Sequence, residues 1–228
     1  MVWQPKHTFE TMSDVYVHPP FLELIDISEI DTIVEMGAEC SPSWAVLNEV
    51  YSPIEIYSVE ANPNFKDFLE EYLEEYLLRF DNVDFTPIAL ANKNGKIEFY
   101  LHSGCASSSS IYEPLKGEGE MIEIDCITLD KFCENKKISK IDLICADVEG
   151  AESEIFTNQE IMRTVKYIIS EVKLTASFKG HDFPGLPQLT SALEPYGFEM
   201  VSLKPTADFM FGDSLWKNPK NIGVSKNE

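Results

Sequence analysis

Arginine is almost missing from this chain of 228 residues: only Arg79 and Arg163 occur. Lysine and arginine together number 18 against 39 aspartates and glutamates, so the formal net charge is −21. A nucleic-acid surface needs clustered cations to displace counterions, and an anionic membrane surface needs them too. Neither partner is expected here. No apolar run approaches the roughly 18 residues of a spanning helix. The opening residues MVWQPKHTFETMSD carry no signal-peptide core. Five cysteines (Cys40, Cys105, Cys126, Cys133, Cys145) form no CxxC pair. That argues against a zinc site and a disulfide scaffold, and leaves free thiols in a reducing cytoplasm as the expectation. The glycine signatures of dinucleotide and triphosphate loops, GxGxxG and GxxxxGK[ST], are also absent.

What is present is a core. Apolar residues make up 44% of the chain, enough for one α/β domain. Strand-like and helix-like segments alternate. Strands are predicted over 32–36, 54–60, 83–89, 142–148, 166–172, 198–203 and 208–211. Helices are predicted over 43–51, 64–79, 128–135 and 184–196. In 64–79, Phe65, Phe68, Leu69, Tyr72, Leu73 and Tyr76 form one stripe, and Glu70, Glu71, Glu74 and Glu75 lie opposite. That charge run reads as a solvated face. Segments 96–101 and 121–127 read as an antiparallel hairpin inserted between strands. The serine run Ser107–Ser110 between them reads as a flexible linker. Residues 1–29 are a lead-in, 30–212 the domain and 213–228 a tail.

Apolar strands alternating with helices imply a parallel sheet covered on both faces. Ligands then bind beyond the carboxyl ends of the strands. Acids gather there: Glu35, Glu60, Asp147, Glu149 and Glu171 each stand where an apolar run stops. Glu60 ends the second strand about 20 residues after Gly37, where an acid can accept hydrogen bonds from both ribose hydroxyls. Asn62 or Asn64 can cap the next helix, so Glu60 is not needed for that. Glu39 in the turn would repel a pyrophosphate. A ligand with ribose and no phosphate fits better, and S-adenosylmethionine is one.

Residues 141–152, IDLICADVEGAE, are similar to the I-D-L-[LI]-K-I-D-V-E-G-A-E stretch of the FkbM methyltransferases. The family's D-x-G-A-N-x-G falls on Glu35 to Ser41, and its E-P-N-P on Glu60-Ala61-Asn62-Pro63. Paired serines within Ser107–Ser110, then Thr128-Leu129-Asp130 and Glu171-Val172, follow in the family's order. Glu39, Ser41 and Cys145 stand where the family has Asn, Gly and Lys. The chain thus resembles the FkbM family over roughly residues 30–212.

The resemblance implies a Rossmann-like class I methyltransferase fold. Its sheet would be mostly parallel and seven-stranded, with an antiparallel last strand and an inserted β-hairpin. It implies S-adenosylmethionine-dependent O-methylation of a hydroxyl on a small metabolite or sugar. Cofactor-binding residues would be Glu35, Gly37, Ala38, Glu60, Ala61, Asn62, Ala89 and Asp147. Methyl transfer to an alcohol also needs a base. His181, Glu149 and Asp147 are the candidates, although a surface histidine and a structural turn acceptor are the plainer readings of His181 and Glu149. Alternation along the strand would send Asp147 and Glu149 to opposite sides. Asp147, Glu149 and Glu171, with His181, could instead converge on Mg²⁺. An alternative of another class is a non-catalytic binding module that kept the fold and uses its acidic surface.

Overall fold

The computed structural model describes residues 21, 23–39, 54–67, 70, 82–103, 106–113, 119–174, 184–207 and 209–222. The helix predicted over 43–51, His181 and most of the 64–79 helix lie outside the described residues. Helical structure is present at 63–67.

Seven strands form the main sheet in the order β3-β2-β1-β7-β8-β10-β9. They are β1 (Thr32–Met36), β2 (Glu55–Glu60), β3 (Val83–Pro87), β7 (Leu143–Ala146), β8 (Tyr167–Lys173), β9 (Glu199–Pro205) and β10 (Phe211–Lys217). β1 pairs in parallel with β2 and β7, β2 with β3, and β7 with β8. Only β10 runs against its neighbours β8 and β9. The expected sheet, with an antiparallel last strand, is the observed one.

β4 (Ala89–Leu90), β5 (Gly95–His102) and β6 (Gly119–Ile127) form a second, three-stranded sheet. β5 and β6 are the predicted antiparallel hairpin, and β4 joins it in parallel. The single strand predicted over 83–89 is therefore two. Its first part ends at Pro87, and the chain crosses to the other sheet at Ala89.

Three α-helices are described: α1 (Leu129–Lys136), α2 (Glu152–Phe156) and α3 (Leu186–Leu193). Thr128 caps α1, its side chain accepting from the Lys131 N–H at 3.2 Å. One apolar layer packs Val34, Met36, Ile144 and Ile168 against Leu129, Phe132, Ile155, Phe156 and Leu193. The other joins Ile33, Ile56, Leu143, Tyr167 and Leu215 to Phe21, Ile25 and Ile30. Burial on both faces explains why these strands are mostly apolar.

Two boundaries move. β10 is not a short strand at 208–211. It continues to Lys217, with Leu215 and Trp216 buried, so 213–217 belong to the sheet rather than to a tail. Phe21 and Ile25 in the core give the end of the lead-in a structural part.

Candidate functional site

β1, β2 and β7 are parallel, so Met36, Glu60 and Ala146 finish on one edge of the sheet. A cleft of about 720 Å³, counting its open mouth, lies there. Its lining includes Gly37, Glu39, Glu60, Ala61, Asn62, Ala89, Asp147 and Glu149, with apolar walls from Phe65, Ile88, Leu90 and Phe99.

Gly37 is required where it stands. Its φ is +84°, and a Cβ there would lie 1.8 Å from the Asp147 carbonyl oxygen. Its N–H donates to the Val59 carbonyl at 2.9 Å, and the Asp147 N–H donates to the Met36 carbonyl at 2.9 Å. The turn is thus sewn between β2 and β7, and only a residue without a side chain fits.

Glu60 is buried, 8% exposed. Its Oε2 accepts the Glu39 N–H at 2.7 Å and its Oε1 the Asn62 N–H at 2.6 Å. Burial raises its pKa to about 7, against the downward pull of those N–H donors; the Glu39 charge adds to the rise. Asn62 caps the helical turn at 63–67 through Oδ1, which accepts the Asn64 N–H at 3.0 Å. Glu60 remains free of that duty.

Asp147 and Glu149 do not point to opposite sides. β7 ends at Ala146, and Glu149 has a left-handed φ of +54°. Strand alternation stops before it could separate them, and both line the cleft. Carboxylate oxygens of Asp147, Glu149 and Glu171 lie within 4.8 Å of one another, a spacing a divalent ion could bridge. Burial, then the charges of Asp147, Glu149, Glu152 and Asp213, push Glu171 well above the ordinary carboxylate range.

Asp213 was missed from sequence. It sits opposite Glu171 across the β8–β10 pair. Burial and Asp147 raise its pKa to about 6. Because β10 is antiparallel, its beginning lies at the edge where the other strands end. No local signal carries that information.

Two expected cofactor residues do not line the cleft. Glu35 is 2% exposed on the opposite face of β1, in register with Ser58 and Cys145, and accepts the Ser58 hydroxyl at 2.5 Å. It stands one residue before the end of β1, and period two turns it from the Met36 face. Ala38 is buried, its N–H donating to the Val59 carbonyl at 3.2 Å. Cys145 is buried and its thiol pushed up by burial, which suits apolar filler rather than a nucleophile. The serine run is no flexible linker. Ser109 and Ser110 are buried, and both are hydrogen-bonded into the walls of the cleft.

A model of the methyltransferase FkbM domain matches residues 39–200. The 2-O-methyltransferase NoeI of Sinorhizobium fredii is 28% identical over an alignment of 156 residues that covers 61% of this chain and 61% of that protein. The chain thus spans less than two thirds of that relative's length. Among solved structures, the FkbM methyltransferase of Methylobacillus flagellatus superposes with a TM-score of 0.57 at 14% identity, covering 82% of this chain and 43% of that one. The fibrillarin pre-rRNA processing protein of Methanococcus jannaschii gives 0.51 at 16% identity, over 85% of this chain and 68% of that one. At such identities these two likenesses speak for the fold.

Proposed function

Since the chain belongs to the FkbM methyltransferase domain family, we propose that it is an S-adenosylmethionine-dependent methyltransferase acting on a hydroxyl of a small metabolite or sugar. Glu60 carries the reading: a buried acid, aimed into the cleft at the end of β2, held by two backbone donors. The methyltransferase name of NoeI supports an oxygen acceptor.

The cleft's residues fit the cofactor's chemistry. Glu60 retains acceptor capacity for a ribose diol, because each carboxylate oxygen has two lone pairs and takes one backbone N–H. Phe65, Ile88, Leu90 and Phe99 offer apolar flanks for a base. Gly37 lets a ligand approach its backbone, and the acids beyond it favour a cation over a phosphate. When bound, the cofactor supplies an electrophilic methyl group on a sulfonium.

The chain's own task is to hold an acceptor oxygen in line and to receive its proton. Asp147 and Glu149 both face the cleft and are the described candidates for the base; His181 remains a candidate. Their neighbour Glu171 favours its protonated form, because it is largely buried and because three close carboxylates resist full ionisation. A Mg²⁺ ion at Asp147, Glu149 and Glu171 is the competing occupant. It would relieve the same repulsion and acidify a bound hydroxyl.

Titration calorimetry with S-adenosylhomocysteine tests the reading, followed by methyl transfer to a panel of sugars and small alcohols. Saturable binding that Glu60→Ala removes is expected. No binding to the wild-type protein would favour the non-catalytic module.

A further inference from the structure

Residues 106–112 cross the cleft as a strap tied at both ends. At one end, Asn62 Nδ2 donates to the Ala106 carbonyl at 3.1 Å and to Ser109 Oγ at 3.2 Å. Ser109 Oγ also accepts the His102 N–H at 3.1 Å. At the other end, Ser110 Oγ donates to the Glu149 carbonyl at 2.8 Å and accepts the Tyr112 N–H at 3.3 Å. Tyr112 then reaches Glu154 at 2.6 Å. Ser110 also exchanges backbone hydrogen bonds with Tyr100 of β5. Ala106, Ser109 and Ile111 line the cleft.

The anchors are the functional walls themselves. Asn62 is 2% exposed and serves three masters at once. Its N–H holds Glu60, its Oδ1 caps the helical turn, and its amide nitrogen holds the strap. Ser110 binds the peptide of Glu149, the residue whose left-handed backbone turns its carboxylate into the cleft. A buried amide with all its hydrogen-bonding groups engaged has one low-energy orientation. The seat of Glu60 and the seat of the strap therefore move together.

We propose that Asn62 and Ser109 are positioning residues that seat the 106–112 strap as a wall of the cofactor cleft, so that a ligand at Glu60 and the strap stabilise each other. The proposal rests on the methyltransferase reading for the identity of that ligand. By reciprocity, what tightens the strap tightens the ligand by the same factor.

The test uses the full chain, S-adenosylhomocysteine as probe, and two variants. Asn62→Ser keeps a hydroxyl to cap Asn64 but cannot reach the strap. Ser109→Ala leaves every contact between Asn62 and Glu60 in place. Amide hydrogen exchange across 106–112, with and without the probe, is read beside calorimetry. In wild type the probe slows exchange of the strap. In both variants the ligand-free strap exchanges about tenfold faster or more, the weight of one or two neutral hydrogen bonds. Probe affinity also falls about tenfold, and its protection of the strap is lost. A merely structural role would lower the melting temperature and leave affinity and probe protection unchanged; that outcome overturns the proposal. Unchanged exchange in both variants overturns it too. A wild-type protein that does not bind the probe overturns the methyltransferase reading instead, and the ligand-free exchange then judges the strap alone.

Discussion

Glu60→Gln is the substitution whose outcome the geometry constrains most closely. Both carboxylate oxygens already accept a backbone N–H, from Asn62 at 2.6 Å and Glu39 at 2.7 Å. A carboxamide keeps one of these bonds and turns its NH₂ toward the other donor. A ribose diol then meets one neutral acceptor where it met a charged pair. Charge-assisted bonds exceed neutral ones by roughly 1 to 1.5 kcal/mol each, so two are worth about 2 to 3 kcal/mol. The dissociation constant should rise roughly 30- to 150-fold.

The pH dependence has a definite sign. Burial holds Glu60 near 7, with Glu39 the other acid acting on it. Hydroxyl donors bind the carboxylate, so binding below pH 7 must first expel a proton. Wild-type affinity should fall about tenfold per pH unit below 7 and level off above 8. Glu60→Gln should be flat. For folding, the shift runs the other way. The folded pKa is raised from 4.5, so this group's contribution is most favourable at low pH and is lost as pH climbs through 7. Calorimetry with S-adenosylhomocysteine at several pH values, in buffers of different ionisation enthalpy, counts the protons released. Equal affinities and identical pH profiles for the two proteins would refute the role of Glu60.

Three further outcomes are expected. Gly37→Ala puts a methyl 1.8 Å from the Asp147 carbonyl in a left-handed backbone, which should cost about 2 to 5 kcal/mol and abolish probe binding; a normal melting temperature would contradict the close approach. Lys166→Met removes a buried ammonium that donates to the Glu29 carbonyl at 2.6 Å and pairs with Asp142 at 3.0 Å, leaving Asp142 paired with Lys140 at 2.7 Å. Denaturant unfolding should show a loss of roughly 1 to 3 kcal/mol, with probe affinity unchanged in the folded protein. If Mg²⁺ occupies the acid group, millimolar Mg²⁺ raises the melting temperature of wild type and not of Glu171→Gln; equal responses exclude that occupant.

Much of the architecture was legible because apolar strands alternate with helical segments. β1, β2, β8 and α1 lie close to their predicted positions. Features read by period failed where the period ended. Glu35 reads from sequence as a strand-end acid, yet it stands one residue inside β1 and faces Ser58. Strand alternation would separate Asp147 from Glu149, but it stops at Ala146. The short α2 helix gave too few turns to announce a stripe. Serines 109 and 110 looked like linker because nothing in a run of small polar residues reveals what their hydroxyls will meet.

The amino-acid sequence alone determined the α/β class, the parallel sheet, the strand-end site and the place of Glu60, since each rests on short-range periodicity and one spacing. Only the tertiary structure decided which acids share a cleft. Asp213 comes beside Glu171 because β10 runs backwards, and the serine strap becomes a wall of the cleft because Asn62 and Glu149, 87 positions apart in the numbering, each bind it. Strand order, strand direction and the turn of a backbone are long-range outcomes, and no local pattern of residue types encodes them.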